Sequence, residues 1–99
     1  MQHYILDLGG SPVPAHDIQT WAVWFQTANL SAGYDVIGDS VIRTDFQGFA
    51  LESAIQPHLW LTKVIGGPLD QVQDRCPGTR EDAAAMHASI CQRVRALTE

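Results

Sequence analysis

The sequence predicts an α+β fold. The expected form is one domain, residues 1–99, in two layers: an antiparallel sheet of three to four strands with two helices on one face, in the order β-α-β-β-β-α. Three observations predict it. Apolar residues recur at helical spacing in two stretches, Ile18–Phe25 and Ala83–Leu97. Between them Ile42, Thr44 and Phe46 alternate with Arg43, Asp45 and Gln47, as in a half-buried strand. The chain has 99 residues, 45% of them hydrophobic, which suits one small core.

The elements follow in order. "HYILDL" reads as a short N-terminal strand, and "GGSPVP" breaks it. A helix is expected over Ala15–Asn29, with Ile18, Trp21, Ala22 and Phe25 on its apolar face and Asp17 in its first turn. Trp24 lies off the centre of that face, either at the rim of the core or in a contact with another chain. "GYDVIGDSVIRTDFQGF" reads as a hairpin turning at Gly38-Asp39, with glycine first as a type II′ turn requires. "ALESAIQP" connects it to a third strand, "HLWLTKVI", and "GGPLDQVQDRCPG" is a longer loop. The last helix starts at a capping box, Thr79 with Asp82, and carries Ala83, His87, Ile90, Val94 and Leu97 in one stripe.

"GGP" at Gly66–Pro68 is a strand end and not a phosphate loop. A Walker loop needs lysine and a hydroxyl residue leading straight into a helix, and a dinucleotide fingerprint needs a third glycine.

In the third strand His58, Trp60, Thr62 and Val64 face one way, and Leu59, Leu61, Lys63 and Ile65 the other. Both faces are substantially apolar. With helices on the Trp60 side, the other row meets water, and such rows find partners. A homodimer or higher homo-oligomer is expected, through the open face or an edge. The candidate interface residues are Trp24, Leu59, Leu61, Lys63 and Ile65, with Lys63 pairing across strands to Asp45.

A polar cluster is expected inside. Thr44 and Thr62 point inward on neighbouring strands, and His87 lies on the helix stripe. They form either a small-ligand pocket with weak acid/base character or a satisfied core histidine. No acidic residue presents itself to orient His87, so no triad, and no catalytic residue, is assigned.

Charge and composition narrow the function. Eleven acidic residues against six basic ones give a net charge of −5. The basic residues are scattered in sequence, so no nucleic acid is expected as partner. The α-β-β-β-α order is shared with double-stranded RNA-binding domains, but here the last helix opens acidic, "TREDAA". No apolar run approaches the ~20 residues of a membrane helix. "MQHYILDLGG" has no leader character, and Cys76 and Cys91 read as reduced structural thiols, so a cytoplasmic protein is expected. His3, His16, His58 and His87 are scattered without HxxxH or CxxC, so neither metal nor cofactor is expected.

"TDFQG", "PHLWLTKVIGGPLDQVQDR" and the following Ala83 and His87 resemble a family of small uncharacterised proteins encoded by bacteria, their phages and integron gene cassettes. Its members share a T-x-F-x-G strand, a P-x-L-[FW]-x-T-x-V-[FI]-G-G strand and an A-x-x-x-H helix. "PVPAHDIQTWAVWFQTA" is similar to the family's opening helix. The likeness spans nearly the whole chain. It departs at Leu61, Arg80 and Met86, where members usually carry Glu, a Trp-type residue and Gly. It implies a mobile-genetic-element origin and no known activity. The expected function is that of an acidic oligomeric binding or interaction protein. The alternative is a ligand-binding protein or enzyme using Thr44, Thr62 and His87.

Overall fold

Alternation in the middle of the chain builds the principal sheet of the computed structural model, which describes residues 1–52 and 55–98. In chain order the elements are β1 (Gln2–Leu6), β2 (Pro12–Pro14), α1 (Ile18–Thr27), β3 (Ser31–Ile37), β4 (Ser40–Phe46), β5 (Phe49–Ala50), β6 (Trp60–Ile65), β7 (Gln73–Cys76) and α2 (Arg80–Thr98). They form an α+β fold with two antiparallel sheets, ordered β2-β1-β5 and β3-β4-β6-β7.

The order differs from the expected β-α-β-β-β-α at three places. "PVP" is not only a break: it turns back on β1 as β2, with Val13 opposite Ile5. Phe49–Ala50 pairs with β1, so the chain leaves one sheet after Phe46 and enters the other. The loop after "GGP" contains β7, a polar edge strand whose Asp74 lies opposite Thr62. The Gly66–Gly67 exit makes that return possible. Both glycines have positive φ, 82° and 74°, and a Cβ on Gly67 would stand 2.0 Å from Ser40 Oγ. "GGP" is therefore a turn packed under the β3–β4 hairpin. Part of the expected connection over Ala50–Pro57 lies outside the described residues.

The layering is also corrected. α2 packs on β3, β4, β6 and β7, whereas α1 packs on β1 of the small sheet. The inner face of the large sheet and α2 bury Ile42, Val64, Ile90, Cys91 and Val94 together. A second cluster, Phe46, Leu59, Trp60 and Ala83, is bordered by Tyr4 and Leu6 of β1 and by Trp24 of α1. The small sheet thus borders a core of the large one, and meets α1 through the rings of His3, Trp21 and Phe49.

Both helix starts have local reasons. Asp17 is the N-cap of α1, not a first-turn residue, and accepts the Thr20 amide at 2.7 Å. The helix accordingly starts at Ile18, which is exposed instead of core-facing. For α2 the expected capping box is present. Thr79 N donates to Asp82 Oδ2 at 2.9 Å, and Asp82 N to Thr79 Oγ1 at 3.2 Å. Arg80 then ties α2 to the start of β3, donating to the carbonyls of Ser31 and Asn29, and its guanidinium lies 5.5 Å over the Trp60 ring.

Candidate functional site

Two surfaces carry the candidate residues, one on each side of the large sheet. The outer side is the one α2 leaves uncovered. Register aligns its side chains in rows. Val36, Val41 and Ile65 form one, Tyr34, Arg43, Lys63 and Gln73 the next, and Asp45, Leu61 and Arg75 a third. The first row is open, with Val36 63% and Ile65 51% exposed. Arg43, Lys63 and Arg75, scattered in sequence, stand on this one face. A groove of about 480 Å³ lies on it, lined by Arg43, Leu61, Lys63 and Ile65 and by the rings of Phe25 and Phe49.

The expected interface residues divide. Lys63 and Ile65 are on the outer face and exposed. Leu61 is on that face but only 4% exposed, lying between Asp45 and Arg75. Leu59 precedes β6 and is buried in the second cluster, so its expected place outside is corrected. Trp24 is at the core rim, its ring edge-on to Phe46 with centroids 5.9 Å apart. The expected Lys63–Asp45 pair does not form. Arg43 is opposite Lys63, and Arg43 Nε donates to Asp45 at 2.9 Å.

On the inner side the three predicted polar residues come together. Thr44 and Thr62 are directly opposite on β4 and β6. Thr44 Oγ1 lies 2.6 Å from Thr62 Oγ1 and 2.8 Å from His87 Nδ1. The missed residue is Asp35. Its Oδ2 lies 2.7 Å from His87 Nε2, and Cys91 Sγ donates to the same oxygen at 3.7 Å. Gly33, beside Asp35 on β3, makes room for the ring: a Cβ there would stand 2.5 Å from it.

The hydrogens follow from what each atom can do. A carboxylate only accepts, so Nε2 carries the ring proton. Nδ1 then accepts from Thr44, and Thr44 accepts from Thr62. Every polar hydrogen in the chain finds an acceptor in this direction. The His87 hydrogen bond holds the Asp35 carboxyl below its ordinary value. Burial first, and then the Asp35 charge, pushes the Cys91 thiol up.

Hydroxyl, imidazole and carboxylate stand in the order of a nucleophile, its base and its orienter. Chemistry also needs access, and Thr44 is 0% and Thr62 1% exposed. Four surface grooves among the described residues are lined by other side chains. In this geometry the hydroxyls orient a histidine and are themselves buried. Its open end is Asp35, whose side chain is 45% exposed.

Comparison with protein-family models, with curated proteins and with solved structures finds no match to the chain.

Proposed function

We propose that the protein is a small acidic interaction module that works as a homodimer through the open face of its large sheet. The observation that carries this reading is the uncovered apolar row Val36, Val41 and Ile65 beside Tyr34, itself 64% exposed. A row of this kind on a sheet lowers its free energy by burial. A second copy brings the same row, and two-fold packing lays the two apolar rows on each other. The sealed hydroxyls support ranking this reading above a pocket at Thr44, Thr62 and His87.

The cassette-encoded origin belongs to the same proposal. Its motif residues Thr44, Phe46, Trp60, Thr62, Ala83 and His87 are all buried between the sheet and α2, which gives the set a common structural reason. Two free thiols support a reducing, cytoplasmic setting.

Native mass spectrometry of the full chain tests the dimer. The expected result is a wild-type dimer, with Ile65→Glu and Val36→Lys moving it to monomer. Val23→Lys, on the exposed side of α1, should remain dimeric. A wild-type monomer at micromolar concentration, or a dimer indifferent to both face variants, overturns the reading.

A further inference from the structure

We propose that His87, Cys91 and Asp35 form a binding site for a divalent transition-metal ion of the zinc class. One imidazole nitrogen, one sulfur and one carboxylate oxygen lie within 4.8 Å of one another. His87 and Cys91 are four residues apart on α2, so one turn of helix places both ligands on the same face. Asp35 comes from β3, across from that face.

The donor set selects the ion. Calcium and magnesium take oxygen ligands, whereas nitrogen with sulfur suits zinc and its neighbours. Metal–ligand bonds of about 2.0–2.3 Å put tetrahedral ligands roughly 3.3–3.8 Å apart. The Asp35–Cys91 separation of 3.7 Å already fits. The Asp35–His87 separation of 2.7 Å must open by under about 1 Å. Asp35 can supply that movement, because it stands on an edge strand with its side chain half exposed. The same exposure is the entry path and leaves a fourth coordination position toward water.

The support behind the ligands is what a metal histidine requires. Its second nitrogen is held by Thr44, and Thr44 by Thr62. With a cation on Nε2 the ring proton resides on Nδ1 and is donated to Thr44, and the two hydroxyls rotate to reverse the chain. No heavy atom of that pair has to move. The reversal leaves the Thr62 proton without its former acceptor, a smaller loss than three metal–ligand bonds gain. The Cys91 thiol gives up its proton to the solvent as the sulfur binds.

This site is on the α2 side of the sheet, away from the face assigned to the dimer, so either idea can fail alone. The test is titration of the chelator-treated full chain with Co²⁺ alone. The expected result is one equivalent bound, with tetrahedral d–d bands and a thiolate-to-cobalt charge-transfer band. Cys91→Ser removes the charge-transfer band and Cys76→Ser keeps it. Asp35→Asn keeps the band and weakens binding at least tenfold. For variants that fail to fold, X-ray absorption of the wild type carrying one equivalent of Zn²⁺ decides: the expected shell holds one sulfur beside nitrogen and oxygen ligands. Absence of the charge-transfer band in the wild type, its survival in Cys91→Ser, or a Zn²⁺ shell without sulfur overturns the proposal.

Discussion

The His87 ring occupies a space that Gly33 leaves for it. Gly33→Ala should destabilise the protein by about 1–3 kcal/mol, because its Cβ would overlap the ring in a packed core. In a His87→Ala background most of that cost should vanish, since the obstructed group is gone. Urea unfolding of the four combinations measures this. An equal cost in both backgrounds would assign the effect to the backbone of β3 instead. The same residues show what was legible. Thr44, Thr62 and His87 come together as strand alternation and the helix stripe imply. Asp35 was within reach of the same reasoning. A two-residue turn at Gly38-Asp39 places Ile37 opposite Ser40, and so Asp35 opposite Ile42 on the inner face. What hid it is that a carboxylate on an inner face reads as a solvent residue until register is counted. His87 and Cys91 stand one helical turn apart in sequence, but only the fold brings Asp35 to them.

At the scale of elements, strong periodicity was readable and polar pairing was not. β4, β6 and α2 stand where alternation, the Gly-Gly exit and the capping box place them. β7 was missed because "QDRC" has no apolar alternation; backbone pairing to β6 defines it. Parity alone puts Leu61 outside and does not show that Asp45 and Arg75 flank it. α1 starts late for an electrostatic reason that can be tested. The Thr20 amide, hydrogen-bonded to the Asp17 carboxylate, is the main cause that lowers the carboxyl below 3.8. A depressed folded value contributes stability above the ordinary value and loses it as pH falls through the folded one. Asp17→Asn keeps a competent cap that does not titrate. The stability gap between wild type and Asp17→Asn should therefore favour wild type near neutrality and shrink below about pH 4. Urea unfolding of both proteins across the acid range reads this. A gap independent of pH would mean that the negative charge of Asp17 has no part in the cap.

At the scale of the molecule, the two sheets do not share stability equally. The radius of gyration is 14.4 Å, against about 13 Å for a compact chain of ~100 residues, and the longest extent is 47 Å. The elongation has a source in packing. α1 has no buried residue, and β1, β2 and β5 form a sheet too small to stand alone. Half-buried aromatic contacts join α1 to the small sheet, with Trp21 4.5 Å from His3, and the fully buried cluster they border belongs to the large sheet, where Trp24 meets Phe46 and Phe46 meets Trp60 with centroids 4.9 Å apart. This is why the expected single sheet with both helices on one face was too simple: the apolar stripe of α1 was legible, but not the second sheet that receives it. Trp24→Ala should then loosen the small sheet without unfolding the large one. A buried tryptophan truncation costs about 3–5 kcal/mol, and a half-buried one about 2. Amides of β1 such as Ile5 should exchange roughly thirtyfold faster, while those of β4 and β6 keep their protection. Hydrogen exchange read residue by residue decides it. Equal acceleration in all strands would make the molecule a single cooperative unit, and the small sheet would no longer count as the part able to open on its own.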